Sequence, residues 1–327
     1  MRMILDCDPG NGVPGSDVDD GLALGLILRS PEFEMEAVTV VGGNTAVDVG
    51  TPAGLAVLEA AGSSVPLYRG ASRPLAEDPA PWRASLDGRR TVEPAVSVYR
   101  GTSYPAPTRR PAPGSAAEAI VNSVNAHPGE VTIAAVGPLT NVAQAILIDP
   151  DLPRKVRQIA IMGGAFNVWH RPQELNVCYD PEAAHIVVTC GAPVVMVPLD
   201  TTLRTGMARD DVERLIASAD PLAHYLGVTS DPWLRWVGAV RNRASFPLHD
   251  PLAVAVLLER GFVTVERAHV DIELVGRLTR GRPVSWRPGD PFSSCGLRLP
   301  EVPQIEIVTD VDNDAFKAFL MDRLLGE

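Results

Sequence analysis

Five carboxylates stand within fifteen positions near the start of the chain, at Asp6, Asp8, Asp17, Asp19 and Asp20. Like charges this close repel one another unless water screens them or a cation lies among them. One or two aspartates could cap a helix or form a turn, and for Asp17 that interpretation stays open beside a functional one. Because ligand sets made only of oxygen select hard cations, the cluster predicts a site for Ca²⁺ or Mg²⁺.

The spacing of these acids does not match the EF-hand, the calcium-binding loop that takes its ligands from one continuous segment. An EF-hand needs Gly at its sixth position and Glu at its twelfth, whereas counting from Asp6 gives Asn11 and Asp17. Any further ligands must therefore come from distant segments. A phosphatase-type Asp-x-Asp loop, in which the first Asp attacks phosphate, is a weaker alternative. Enzymes similar to haloacid dehalogenases use a lysine there, and Lys155 and Lys317 are the only lysines of this chain.

Short apolar runs that alternate with helix-like segments must position the acidic loop. Continuous apolar runs favour a parallel sheet buried on both faces, and the alternation predicts a doubly wound α/β domain. Ligands of such folds bind beyond the carboxyl ends of the strands, and the acidic loop follows the first strand. The predicted strands are residues 3–7, 36–41, 131–136, 158–162 and 194–197, and the predicted helices are residues 19–29, 47–61, 139–148 and 181–190.

The remaining segments decorate this core. Residues 69–114 are rich in Pro, Arg, Ser and Ala without periodicity, which indicates a long surface excursion, either a lid or a small β insert. Residues 210–243 are predicted as helical, and a strand region at 263–275 and a helix at 312–325 follow. Since there is no internal repeat, residues 1–327 are predicted to form a single domain.

Composition excludes several classes of partner. A net charge of −11 argues against a nucleic-acid polymer or an anionic membrane, but not against a small ligand. No apolar run approaches the ~18 residues of a membrane span, and the start lacks the pattern of a signal peptide. Without a CxxC pair, the cysteines are expected to be reduced thiols in a cytoplasmic protein. They are Cys7, Cys178, Cys190 and Cys295.

Several sequence blocks then follow in a recognisable order. Together they resemble the nucleoside hydrolase family, the inosine–uridine-preferring N-ribohydrolases, because blocks that are weak singly are strong in this order. The blocks are "ILDCDPG…VDDGLAL" at the start, "VVGGNT" at 40–45, "VGPLTN" at 136–141, "IMGGAF" at 161–166, "ELNVCYDPEAAHIV" at 174–187, "PLHDPLAVA" at 247–255 and "VDIELVGRLTRG" ending at 281.

This resemblance implies an open, mostly parallel sheet flanked by helices, with a Rossmann-like core and loop insertions. It implies hydrolysis of the N-glycosidic bond of ribonucleosides, one Ca²⁺ at the base of a ribose pocket, and a homodimer or homotetramer. The metal ligands implied are the carboxylates of Asp8, Asp20 and Asp250 and the backbone carbonyl of Val136. Implied ribose contacts are Asp19, Asn44, Glu174 and Asn176, with Asn167 as a candidate for a further asparagine.

The chemistry of such a site can be reasoned from the residues. Cleaving a ribosyl C–N bond gives the sugar oxocarbenium character, which carboxylates stabilise. Vicinal hydroxyls can chelate Ca²⁺, the metal lowers the pKa of a bound water, and Asp8 could take the proton from that water. His249, directly before Asp250, stands where family members place a leaving-group acid, although a lone histidine is more often a packed or surface residue.

Aromatic residues and departures from the family pattern bear on the leaving base. Trp233 and Trp236 could be core residues or could stack on a nucleobase. The loop at 11–18 is longer than the family's single residue, which makes Asp17 a competitor of Asp19. Many members carry a histidine in the excursion, but "WRASLDGRRTVEPAV" at 82–96 contains none. Alternatives are therefore a hydrolase of nicotinamide riboside or of a modified nucleoside, or a silent ribose-binding homologue.

Overall fold

The computed structural model describes residues 1–170, 173–287 and 299–327. Strands in these ranges form one large sheet and one small antiparallel sheet of two strands. They are β1 (Arg2–Cys7), β2 (Glu34–Val40), β3 (Leu67–Arg69), β4 (Val131–Ala135), β5 (Gln158–Met162), β6 (Val194–Val197), β7 (Met207–Ala208), β8 (Ser245–Phe246), β9 (Val263–Ile272), β10 (Pro283–Trp286) and β11 (Gln304–Val311).

Nine of these strands make the central sheet, in the order β10-β9-β11-β6-β5-β4-β1-β2-β3. Strand β1 lies between β2 and β4 and pairs with both in parallel, and β9 is the strand that runs antiparallel to its neighbours β10 and β11. The prediction of an open, mostly parallel sheet is confirmed. The five strands predicted within its parallel part are present, with ends that differ by two residues at most.

Helices cover both faces of the sheet, as a doubly wound fold requires. On one face Leu22, Leu226 and Phe316 share a core, and on the other Ile120 and Val142 do. The helices are α1 (Asp19–Leu28), α2 (Val47–Ala60), α3 (Ala80–Gly88), α4 (Ala95–Val98), α5 (Ala116–Ala126), α6 (Thr140–Ile148), α7 (Leu152–Lys155), α8 (Leu175–Tyr179), α9 (Pro181–Thr189), α10 (Leu199–Thr202), α11 (Arg209–Ala217), α12 (Pro221–Arg241), α13 (His249–Ala255) and α14 (Asn313–Leu325).

The prediction that residues 210–243 are helical is confirmed, and the structure divides them into two helices, since α11 ends at Ala217 and α12 begins at Pro221. Asp220 ends the continuity because its carboxylate accepts a hydrogen bond of 2.9 Å from the backbone N–H of Ala223, which caps α12. Pro221 takes the first position of α12, where its missing N–H costs nothing. The helix-forming residues on both sides of Asp220 therefore obscure this helix boundary in the sequence.

The excursion at 69–114 is helical at its centre, so the β-insert alternative is wrong. It contains α3, a 3₁₀ turn (Arg89–Thr91) and α4. Leu86 and Ala95 are buried and fix these short helices to the body of the protein. One isolated bridge joins Tyr68 and Ala112 at the base of the excursion. The excursion consequently presents helix ends, rather than strand edges, toward the carboxyl end of the sheet.

Two further expectations concern the cysteines and membranes. Cys7, Cys178 and Cys190 are free thiols, and Cys295 lies outside the described residues. Across the described ranges, none of the helices is both long enough and apolar enough to cross a bilayer. One sheet runs through both halves of the chain, and the assignment of residues 1–327 to a single domain stays a prediction.

Candidate active site

One cavity opens at the carboxyl edge of the sheet, where the loops after β1, β2, β4 and β5 meet. This is the place where a doubly wound fold presents ligand-binding residues. Helices α12 and α13 and the excursion close the opposite side. The cavity is lined by Asp8, Asp17, Asp19, Asp20, Asn44, Leu86, Arg89, Val136, Met162, Gln173, Glu174, Leu175, Asn176, Leu199, Trp233, Arg241, His249 and Asp250.

Three buried carboxylates form the acidic centre of this cavity. One oxygen from each of Asp19, Asp20 and Asp250 can be chosen so that all three lie within 4.8 Å of one another. The backbone N–H of Asp8 donates to Asp20 at 2.8 Å, and that of Asp250 donates to Asp19 at 3.1 Å. Two of the acids therefore bind the backbone of the other segments, which ties residues 8, 19–20 and 250 together.

Burial, and then repulsion by neighbouring carboxylates, raises the pKa values of Asp19, Asp20 and Asp250 well above their ordinary range. A divalent cation would reverse this penalty by favouring the charged forms. Since every donor offered is an oxygen, the residues fit a hard cation such as Ca²⁺ or Mg²⁺. Asp8, Asp20 and Asp250 are the predicted carboxylate ligands, and the structure brings all three to this cavity.

The carboxylate of Asp8 lies in a cradle formed by two glycines. A Cβ atom added at Gly43 would lie 2.0 Å from Asp8 Oδ2, and one added at Gly137 would lie 3.0 Å from Asp8 Oδ1. The backbone N–H of Asn44 donates to Oδ2, and Arg83 of α3 donates to the carbonyl of Gly43. Burial raises the pKa of Asp8 to about 6. In its ionised form, Asp8 can accept a proton from a water molecule beside it.

Asp6 belongs to the same sequence cluster but lies apart from the cavity. Its Oδ1 accepts hydrogen bonds from Thr39 Oγ1 at 2.6 Å and from Asn141 Nδ2 at 2.7 Å. Burial raises its pKa to about 7. Asp6 therefore links β1 to β2 and α6, which is a structural role in positioning the strand that Asp8 follows.

Glu174 and Asn176 form the wall of the cavity that follows β5. Both oxygens of Glu174 accept backbone hydrogen bonds, from Asn176 at 2.7 Å, Gly164 at 2.9 Å and Val177 at 3.0 Å, and so cap α8. Asn176 Nδ2 donates to the carbonyl of Val136 at 2.7 Å. The carbonyl of Val136, which is expected to bind a metal, thus accepts from Asn176, which is expected to contact ribose. The second lone pair of this carbonyl oxygen is left for another partner.

The long loop at 11–18 is fastened to the loop after β2 by Asn44. The side chain of Asn44 accepts from the backbone N–H of Asp17 at 3.2 Å and donates to the carbonyl of Asp17 at 3.1 Å. This double contact brings the Asp17 carboxylate into the cavity beside Asp19, so that both competing acids line it. Asn44, expected as a ribose contact, supports the loop with its side chain.

His249 is the first residue of α13 and lines the cavity together with Trp233 and Arg241 of α12. Its Nδ1 lies 2.6 Å from Thr202 Oγ1 at the end of α10. This contact fixes the orientation of the imidazole ring. Because acid and base candidates Asp8 and His249 line one cavity, a substrate bound there could contact both.

Two predicted contacts lie elsewhere. Asn167 is exposed and lines a separate cavity near Trp286, and its backbone N–H donates to Asp200 at 2.7 Å because the start of α10 holds this loop. Trp236 lies outside the central cavity and stacks on Trp233, with ring centroids 4.8 Å apart and planes at 11°. One face of Trp233 is therefore covered by Trp236 rather than available to a nucleobase.

Sequence reasoning left several lining residues without an assigned role. Arg89 and Arg241 come from the excursion and from the last turn of α12, and Arg241 lies 5.3 Å above the ring of Trp233. Thr202 holds His249. The excursion lacks the histidine that many family members carry there, and this departure drew attention to the stretch that contains Arg89. No spacing pattern in the sequence points to Thr202.

Comparison with known proteins is consistent across the whole chain. The sequence profile of the inosine–uridine preferring nucleoside hydrolases matches residues 3–318. The pyrimidine-specific ribonucleoside hydrolase RihA of Enterobacter sp. (strain 638) is 34% identical over 328 residues, covering 99% of this chain and 97% of that protein. Probable uridine nucleosidase 2 of Arabidopsis thaliana is 30% identical over 332 residues, covering 99% of this chain and 97% of that protein.

Solved structures agree. The plant nucleoside hydrolase PpNRh1 superimposes with a TM-score of 0.83 at 29% identity, covering 100% of this chain and 99% of that one. A purine-preferring ribonucleoside hydrolase from Gardnerella vaginalis gives a TM-score of 0.82 at 27% identity, covering 100% and 98%. The likeness therefore includes both the sheet and the segments that carry the cavity.

Proposed function

Because the chain belongs to the inosine–uridine preferring nucleoside hydrolase family, whose members hydrolyse the N-glycosidic bond of ribonucleosides, we propose a Ca²⁺-dependent reaction that uses Asp8 as general base and releases free base and ribose. The observation that carries this proposal is the meeting of Asp8, Asp20 and Asp250 with His249 in one cavity. The carboxylates supply the ion site and the base, and the histidine supplies the acid.

The ion would be held by Asp8, Asp20, Asp250 and the carbonyl of Val136. When bound, Ca²⁺ orients a ribose diol and lowers the pKa of water. The choice of Ca²⁺ over Mg²⁺ rests on the number of carboxylates offered, since Mg²⁺ keeps several waters and takes only one or two carboxylates.

Sugar binding falls to residues around this acidic centre. Asp19 and Asn176 bind ribose hydroxyls, and Glu174 holds the loop that presents Asn176. Asn44 shapes the same pocket by holding Asp17 and by donating its N–H to Asp8. Fixing the sugar in this way brings its C1′ carbon toward Asp8. Much of the entropic cost of aligning the reacting groups is then met when the substrate binds, which lowers the barrier of the chemical step.

Bond cleavage then divides between two side chains. Asp8 takes the proton from the water that attacks C1′, and the surrounding carboxylates stabilise the positive charge that develops on the ribose. His249, held by Thr202, donates a proton to the departing base. Each proton transfer typically contributes about 10²–10⁴-fold to the rate.

A substrate panel tests this proposal. Release of free base would be followed for inosine, adenosine, guanosine, uridine, cytidine and nicotinamide riboside, each with and without a chelator. We expect turnover of at least one, lost with chelator, restored by Ca²⁺, and lost in Asp8→Asn while ribose binding is kept. Asp210→Asn, an exposed acid on α11, is the matched control and should behave as wild type. Turnover that survives both chelator and Asp8→Asn would contradict the mechanism, and ribose binding without turnover would identify a binding protein.

The assembly and location of the enzyme are part of the same proposal. By family resemblance we propose a homodimer or homotetramer in the cytoplasm, acting on a free nucleoside. Light scattering coupled to gel filtration would measure the mass of the assembly against the 34.9 kDa of one chain. A monomer at assay concentration would contradict the proposed assembly and leave the chemistry untouched.

A further inference from the structure

One wall of the cavity offers mainly hydrogen-bond donors. Arg89, Trp233 and Arg241 line it, and none of these side chains can accept a hydrogen bond. They lie on the side formed by α12, α13 and the excursion, which is also the side of His249. The wall therefore surrounds the place that the proposed function gives to the leaving base.

The two guanidinium groups lack the ion pairs that neighbouring arginines make. Arg209 and Arg235 both pair with Asp231. In the part of the chain that the structure describes, neither Arg89 nor Arg241 has a carboxylate oxygen within 4.0 Å. Burial, and then the positive charge of Arg241, lowers the pKa of Arg89. Two half-buried cations that repel each other are an electrostatic cost that a bound anion would remove.

The nearest acids compensate only part of this charge. Asp17 lines the same wall, and although burial raises its pKa, the charge of Arg241 favours its ionised form, so that it balances one of the two arginines. Glu93 lies beside Arg89 and Arg241 at the outer surface, and its carboxylate accepts instead from Ser97. Counting Asp17 against the two arginines leaves one positive charge on the wall.

Trp233 supplies an independent indication. Its side chain is 1% exposed, and its indole Nε1–H finds no acceptor among the described residues. Buried polar groups are nearly always hydrogen-bonded, so an unpaired donor in a cavity wall indicates an acceptor that arrives with the ligand. The indole calls for a hydrogen-bond acceptor and the guanidinium groups call for negative charge, and an anionic oxygen supplies both.

We propose that this wall binds a carboxylate carried by the leaving base, so that N-ribosides of acidic bases are favoured substrates. This inference rests on the proposed function and deepens it by naming a substrate class. Guanidinium groups match carboxylates in geometry as well as in charge. A 5′-phosphate is the other anion that a nucleoside derivative could bring, but His249, which the proposed function places at the leaving base, lines the cavity together with this wall.

A matched pair of substrates tests the inference. Nicotinate riboside and nicotinamide riboside differ only in a carboxylate against a carboxamide of nearly equal shape. We expect kcat/KM for the acid to exceed that for the amide by about tenfold or more, as one charge-assisted contact would give. Arg89→Gln and Arg241→Gln should each lower this ratio toward one. Arg235→Gln, a half-exposed arginine of the same helix, is the control and should leave the ratio unchanged.

The arms of the experiment separate the explanations. Equal kcat/KM for acid and amide in the wild type, or a ratio that neither cavity variant changes, overturns the inference. Preference for uridine 5′-monophosphate over uridine, abolished by the same variants, would assign the wall to a phosphate and overturn it too. If uridine, inosine and both pyridine ribosides all resist hydrolysis, the proposed function fails. Calorimetric binding of the acid and the amide to Asp8→Asn then decides the inference separately.

Arg241→Gln could lose stability because its guanidinium lies over both indole rings. Arg89→Gln then carries the test alone, because among the described residues no cation–π contact involves Arg89. Salt provides a further readout. Rising ionic strength should weaken binding of nicotinate riboside more than binding of nicotinamide riboside. An equal effect of salt on both ligands would contradict a charged contact.

Discussion

Replacing Gly43 by alanine should displace the carboxylate of Asp8. The new Cβ atom would lie 2.0 Å from Asp8 Oδ2 and 2.5 Å from Cδ of Pro138. A Cβ essentially never approaches another heavy atom within 3.0 Å, so Asp8 or the loop must move by roughly 1 Å. Arg83 holds the carbonyl of Gly43 and resists a shift of the loop. We therefore expect the carboxylate to give way.

The expected loss of activity follows from that displacement. A misplacement of about 1 Å at a reacting group costs about 10²-fold in rate. Gly137→Ala is a milder version, because its Cβ would lie 3.0 Å from Asp8 Oδ1 and 2.8 Å from Cγ1 of Val41. Gly88→Ala is the control, since nothing lies within 4 Å of its added Cβ and its backbone is helical. The losses should rank Gly43, then Gly137, with Gly88 near wild type.

Steady-state kinetics on the best nucleoside of the panel, with far-UV circular dichroism and thermal melting, would measure the series. Overpacking costs about 1–3 kcal/mol, which a domain of this size can absorb without unfolding. A folded Gly43→Ala enzyme with kcat/KM within threefold of wild type would refute the view that these glycines hold the base in place. So would equal losses in Gly43→Ala and Gly88→Ala.

Three other predictions concern the ion, the acid and the fold. Ca²⁺ at a hundred times its Kd adds about 2.7 kcal/mol of stability, which for a chain of this length raises Tm by about 4 °C. Melting curves with Ca²⁺ and with chelator would show this, and an unchanged Tm would count against the ion site. Thr202→Val should lower kcat/KM for inosine or uridine about tenfold, which is part of the 10²–10⁴-fold that an acid supplies. It should leave kcat/KM for 4-nitrophenyl riboside unchanged, because that leaving group needs no proton. Equal losses on both substrates would make Thr202 merely structural. Asp220→Ala should cost about 1 kcal/mol in urea unfolding by removing the cap of α12, and Asp210→Ala, on the exposed first turn of α11, much less; equal losses would mean that the cap contributes little.

The parts of the fold that could be predicted from sequence are those set by local pattern. Continuous apolar runs gave the parallel strands, and the paired acids at Asp19 and Asp20 marked the start of α1. The boundary at Asp220 was missed because helix propensity on both sides outweighs a single capping residue. The helices of the excursion were missed because α3 and α4 are short, and short helices form through tertiary packing rather than intrinsic propensity.

Within the site, residues that follow strands could be placed and residues that depend on distant partners could not. Asp8 follows β1 directly, and Asn176 lies in α8, the first helix after β5. The partner of Asn44 lies in a loop 27 positions away, and that of His249 lies 47 positions away. Arg241 reaches the cavity because α12 ends beside it, which depends on the packing of the whole helix. No short-range periodicity in a sequence contains such information.

The contact between the Asp250 backbone and Asp19 joins positions 231 residues apart, and it has a consequence for how the enzyme matures. On the ribosome, the first acidic loop emerges long before α13 exists, so a nascent chain lacks the last carboxylate for most of its synthesis. Its early aspartates stay hydrated and charged during that time, because the entropic cost of closing so long a loop is offset only when the distant contact forms. Docking of α13 onto α1 is therefore the step at which a newly made polypeptide becomes competent to capture its ion.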